Sequence, residues 1–138
     1  MTQRFVVLAA FANEAVLDKN TGLVWEQAPD ATTWNWDLAT SYCANKSVGG
    51  TVGWRLPSMI ELKSVQDPSL APPFVPGSVF TNVQSATFWS ASSGAAFPEA
   101  VAWSVFFGLG GVDDWTVGLV PKVTLRHAWC VRGGMHSS

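Results

Sequence analysis

The sequence predicts an α+β domain built from two short helices and several short strands. Three stretches carry that expectation. Ser58 and Glu61 have the S-x-x-E spacing of a capping box, directly after Gly53-Trp54-Arg55-Leu56-Pro57. Trp36, Ala39 and Cys43 fall at i, i+3 and i+7, which gives a helix one apolar face. Val101 to Phe107 alternates around Trp103, Val105 and Phe107 with the period of a strand.

Composition sets the outer bounds. A chain of 138 residues is one domain with room for a core. Hydrophobic residues make up 48% and charged residues only 13%, which excludes a disordered chain. Eight Trp and eight Phe supply large buried area per residue, which suits a fold with much irregular chain. A net charge of -2 argues against a general nucleic-acid binder. No stretch is long enough to span a membrane. The apolar run Phe5 to Phe11 leads straight into Asn13-Glu14, so it is read as part of a buried hairpin, with any secretion signal upstream.

Taken in order, Phe5 to Phe11 and Ala15 to Asp18 are expected as strands around an Asn13-Glu14 turn. Leu23 to Trp25 follows Asn20-Thr21-Gly22 as a third strand, and Gln27 to Thr33 is a loop. The first helix covers Trp36 to Cys43. Thr33 or Asn35 caps it, Asp37 lies in its first turn, and Gly49-Gly50 stops it. Pro57 pushes Leu56 toward an extended conformation, so Trp54 and Leu56 point into the core and Arg55 away from it. Arg55 is expected to hold loop carbonyls. The second helix runs from about Met59 to Gln66, with Met59, Leu62 and Val65 on its apolar side. Asp67 to Thr87 has four prolines and no period, and is expected as a long loop pinned by Phe74, Val79 and Phe80. Phe88-Trp89-Ser90 opens a strand, Trp115 to Val120 runs back from an Asp113-Asp114 tip, and Lys122 to Arg132 is read as one final strand. Residues 1–132 form the domain and 133–138 a flexible tail.

The order and spacing of these motifs carry a resemblance. Thr21-Gly22-Leu23-Val24-Trp25-Glu26, then Trp36, Ala39 and Tyr42-Cys43, then Gly53-Trp54-Arg55-Leu56-Pro57 come first. Phe88-Trp89-Ser90-Ala91-Ser92 and Ala128-Trp129-Cys130-Val131-Arg132 follow. The series resembles the C-terminal domain of the Legionella collagen-like adhesin and its bacterial relatives, from about Arg4 to Arg132. That family is similar to C-type lectin-like folds and, more distantly, to the formylglycine-generating enzyme fold. The resemblance implies a C-type lectin-like architecture of two helices on short twisted antiparallel sheets. It implies a disulfide between Cys43 and Cys130, which suits an extracellular or cell-surface compartment. It also implies an adhesin head that binds glycans. A head that follows a collagen-like stalk would be a homotrimer, because three collagen strands deliver three heads together.

Catalytic and metal chemistry find little support in the sequence. No Cys or His cluster has zinc spacing. His127 and His136 are the only histidines. Asp113 and Asp114 are two carboxylates where calcium asks for six or more oxygens, and Gln66-Asp67-Pro68 has the wrong order for a lectin triplet. No catalytic residue, metal or cofactor is assigned, and any sugar binding is expected to be calcium-independent. The expected ligand is a sulfated polysaccharide or glycosaminoglycan, held by Lys122, Arg126 and His127. Lys122 and Arg126 would share one strand face by even spacing. The alternative is a protein-binding display scaffold, marked by an exposed aromatic patch among Trp103, Trp115 and Trp129. An enzyme of the formylglycine-generating type is the third reading. Trp34, Trp89 and Trp115 are expected in the core, with sugar stacking as the other reading.

Overall fold

The computed structural model describes residues 4–67, 69–94, 100–107 and 117–133. The strands and helices alternate irregularly along the chain. β1 (Phe5–Val7), a 3₁₀ turn at Ala9–Phe11, β2 (Ala15–Asp18), β3 (Val24–Glu26) and β4 (Thr33–Trp34) come first. Then follow α1 (Trp36–Ala44), α2 (Met59–Val65), β5 (Thr87–Ser93) and β6 (Val101–Phe106). β7 (Val117–Pro121), β8 (Arg126–His127) and β9 (Val131–Arg132) complete the described elements. They form a four-stranded sheet, β1-β2-β3-β9, and a five-stranded sheet, β4-β8-β5-β6-β7. Two helices with two sheets make the α+β class, consistent with a C-type lectin-like fold.

The corner at residues 53–58 is the hinge of the architecture. Gly53 sits at φ +93°, which a side chain rarely adopts. Arg55 then exchanges backbone hydrogen bonds with Val131 at 2.8 and 2.9 Å, so the extended entry lies against the last strand. Trp54 and Leu56 are buried as the alternation requires. Ser58 Oγ accepts the Glu61 N–H, and the Glu61 carboxylate accepts the Ser58 N–H: the capping box is complete. The Glu61 carboxylate also takes both terminal nitrogens of Arg55, at 2.8 and 2.9 Å. Arg55 holds the carbonyls of Leu56 and Gly133 as well, so it is the structural guanidinium expected.

α1 is capped by Asn35, whose side chain accepts the Leu38 N–H. It stops at Ala44, ahead of Gly49-Gly50, because Asn45 leaves helical conformation. Ala39 and Cys43 are its buried residues. Cys43 and Cys130 are disulfide-bonded across 87 residues, with their Cα atoms 5.4 Å apart.

Two apolar clusters fill the interior. One gathers Trp25, Phe80, Phe88, Phe107 and Trp129 with Leu62 and Val65 of α2. The other surrounds the disulfide with Trp54, Leu56 and Trp89. Two buried indoles bind the ends of strands: Trp89 Nε1 donates to the Trp34 carbonyl at the end of β4, and Trp129 Nε1 to the Glu26 carbonyl at the end of β3, each at 2.8 Å. Phe80 and Val75 pin the long loop, which has no strand or helix among its described residues.

Four expectations are corrected. The opening run does not continue as a strand to Phe11: the 3₁₀ turn interrupts it, with Ala12 and Asn13 at positive φ. Lys122 to Arg132 is not one strand. Thr124 N–H closes a turn on the Pro121 carbonyl, and Ala128–Cys130 passes from one sheet to the other. β5 and β8 pair in parallel at Phe88 and His127, so the second sheet is mixed. Trp103 is only half-buried, whereas Ala102 and Ser104 on the opposite face of β6 are buried. Asp113, Asp114, Trp115 and the tail beyond Gly133 lie outside the described residues. No helix among the described residues is long and apolar enough to cross a membrane.

Candidate functional site

The edge of the second sheet forms an open cleft of about 350 Å³. β4 and β8 pair antiparallel there, with Thr33 opposite His127 and Trp34 opposite Arg126. β5 enters from the other side at Phe88. The cleft is lined by Arg126, His127 and Leu125 with Thr33, Ser85 and Thr87. Arg126 and His127 both border this opening, but as successive residues of β8 their side chains leave opposite faces of the sheet, His127 on the face of Thr33 and Arg126 on that of Trp34.

Arg126 and Arg132 are the arginines without an ion pair among the described residues. Arg4 is bidentate to Asp18, and Arg55 to Glu61. Arg132 lies over the Phe11 ring at 5.9 Å. Arg126 donates one Nη to the Leu125 carbonyl at 2.8 Å and has no ion pair within the described residues. Its other donors have no hydrogen-bond partner among the described residues, and a guanidinium fork matches an oxyanion. His127 packs on Phe88 with ring centroids 5.4 Å apart. Its Nδ1 is shielded and has no hydrogen-bond partner. Burial pushes the imidazole below its ordinary value, so at pH 7 it acts as a neutral group with one donor and one acceptor nitrogen.

Lys122 does not join Arg126 on one strand face. It lies in the turn after β7, where its carbonyl accepts the Trp36 N–H and its Nζ sits 3.9 Å from the Trp36 ring centroid. It flanks the N-terminus of α1, outside the cleft of Arg126 and His127. Sequence reasoning missed the three hydroxyls. Ser85 and Thr87 stand two apart as the loop enters β5, a spacing visible in the chain but too common to single out.

The tryptophan candidates separate clearly. Trp129 and Trp89 are fully buried, so neither contributes to an exposed patch or a sugar platform. Trp34 is half-buried at the surface and stacks on Tyr42 with centroids 4.9 Å apart and planes at 23°.

A charged network lies behind that pair. Glu26, buried on β3, accepts the Cys130 N–H at 2.7 Å and pairs with Lys46 at 2.8 Å. Lys46 also donates to the Tyr42 hydroxyl. Burial raises the Glu26 carboxyl, and the bonds from Lys46 and Cys130 only partly offset it. Burial lowers Lys46, but Glu26 and Tyr42 outweigh this and leave it above its ordinary value. The carboxylate bears most of the desolvation, and the ammonium at the rim gains a partner. Among the described residues, no group of three or more His, Cys, Asp or Glu could hold a metal. Asp67 is closed in a turn, accepting both the Ser69 N–H and hydroxyl.

Residues 14–132 match the Lcl C-terminal domain, as the order of the aromatic motifs, the Arg55 corner and the disulfide suggested. The chain belongs to the Lcl C-terminal domain family. It is thus an example of the C-terminal domain of collagen-like adhesins, an adhesin-type family. The Lcl match begins after the 3₁₀ turn and ends with β9. No curated protein matches the chain.

Proposed function

We propose that this Lcl C-terminal domain is a surface adhesion module that binds sulfated polysaccharide without calcium. The observation that carries the reading is the Arg126 guanidinium, without an ion-pair partner among the described residues, beside His127 and three hydroxyls in one open cleft. A sulfate takes two donors from Arg126, and a hydroxyl supplies a third. One such site on a chain of net charge -2 is weak. A homotrimer presents three to one polyanion, and avidity raises the apparent affinity by a factor on the order of a hundred or more. The stalk-borne origin of the family motivates that assembly.

A non-catalytic role fits the same chemistry. Both cysteines are joined in the bridge, and His127 Nδ1 has no orienting partner. A second reading, capture of a protein ligand, is favoured by Val123 and Leu125, which project into solvent beside the cleft.

Binding to heparin and to its desulfated form, across a salt series, tests the proposal. The expected result is loss on desulfation, steep weakening with salt, indifference to chelators, and loss in Arg126→Ala. Binding that ignores all of these overturns it.

A further inference from the structure

The outer face of α1 carries a second open cleft, of about 390 Å³, between Trp34 and Lys46. Its wall is Trp34, stacked on Tyr42, together with Leu38, which is 53% exposed; Tyr42 itself lies between Trp34 and Lys46, whose Nζ is 4.4 Å from its ring centroid. Ser41, Asn45 and Lys46 complete the lining. The two clefts flank one edge strand, because Thr33 lines the first and Trp34 the second. We propose that this second cleft binds a neutral pyranose ring, with the C–H face of the sugar on Trp34 and Leu38 and its hydroxyls on a rim formed by Tyr42 and Asn45.

Three features select that ligand. The first is the wall: aromatic faces are negative at the centre and attract the positive C–H edges of a saturated ring. The second is the rim. The Tyr42 hydroxyl accepts from Lys46, which leaves its own proton without an acceptor among the described residues. Asn45 uses one amide hydrogen on the Ser41 carbonyl and keeps its oxygen and second hydrogen for other partners. Such a wall with a few convergent polar groups is the make-up of a small-molecule site, and the volume lies in the usual range of roughly 300–1,000 Å³. The third is charge. Among the described residues, Lys46 is the only charged one lining this cleft, and it is neutralised by Glu26 at 2.8 Å. The cleft has no net charge to offer an anion, so it favours an uncharged, hydroxyl-bearing ring. This site does not rest on the Arg126 cleft.

Saturation-transfer NMR with the intact chain tests it, using methyl glycosides of glucose, galactose, mannose and N-acetylglucosamine as probes. At least one should receive saturation on its ring C–H protons. The signal should hold its size as salt is raised, unlike an ionic contact. Trp34→Ala should weaken it about tenfold, the loss of one stacking contact near 1.4 kcal/mol. Where Trp34→Ala does not give a folded amide spectrum, Leu38→Asp at the exposed edge of the wall decides, and it should abolish the signal. No transfer to any probe overturns the proposal. So does a signal that fades with salt, or one that persists in the deciding variant.

Discussion

Opening the Cys43–Cys130 bridge should produce the largest loss of stability of any change at two side chains. The bridge closes a loop of 87 residues, from the end of α1 to the passage between β8 and β9. Restricting the unfolded chain over a loop of that length is worth about 4–5 kcal/mol in the chain-entropy model. For 138 residues, the unfolding entropy near the midpoint is roughly 0.3 kcal/mol/K. The two figures give a fall in Tm of about 15 °C. Both cysteines are fully buried, so the reduced protein keeps the thiol volume and tests the constraint alone. Calorimetry of oxidised and reduced protein at equal concentration measures the shift, and Cys43→Ala/Cys130→Ala supplies a form that cannot reoxidise. A fall below about 4 °C would show that the bridge does not constrain the unfolded chain as argued.

Other perturbations probe the frame. Arg55→Met should cost about 1–3 kcal/mol in urea unfolding, since it strips Glu61 of a bidentate partner that is itself partly exposed. Burial raises the Glu61 carboxyl, but the Arg55 and Ser58 bonds outweigh it and hold it below its ordinary 4.5. With a depressed folded value, its contribution is full above that unfolded value and is lost as pH falls through the folded one, so the Arg55→Met deficit should shrink in acid. Glu26 has the opposite sign: its folded carboxyl is raised, so acidification through that range favours the folded state. Glu26→Ala should destabilise by about 3 kcal/mol in the same assay at neutral pH, because the Cys130 N–H and Lys46 lose their partner together. Gly49→Ala should cost about 1–3 kcal/mol by thermal unfolding, because Gly49 has φ +56° and a Cβ there would lie 2.2 Å from the Phe11 carbonyl oxygen.

Local chemistry made part of this fold readable. Ser58 and Glu61 are read correctly because a capping box needs only neighbours in sequence, and Asn35 for the same reason. Trp54 and Leu56 follow from strand alternation beside a proline. The Arg55–Glu61 pair spans the corner rather than a helix turn, so no periodicity announces it. The last segment is misread for a physical reason. Val123 and Leu125 favour strands by composition, yet they are exposed on a turn. The buried Ala128–Cys130 stretch has no regular ladder there, and Glu26 takes that place, bonding Cys130 through both its backbone N–H and its carboxylate. The same error set Lys122 beside Arg126 on one strand face. The Trp34–Tyr42 stack joins β4 to α1 across eight residues, and nothing in either residue alone separates a cleft wall from core.

A sulfated chain held in the cleft of Arg126 and His127 must perturb the backbone amides that line it. Amide NMR titration with a heparin-derived tetrasaccharide reads those amides one by one. The expected shifts centre on Thr33, Thr87, Arg126 and His127, vanish when the sugar is desulfated and collapse as salt rises. Shifts confined to residues 69–83, or unchanged by desulfation, would contradict it.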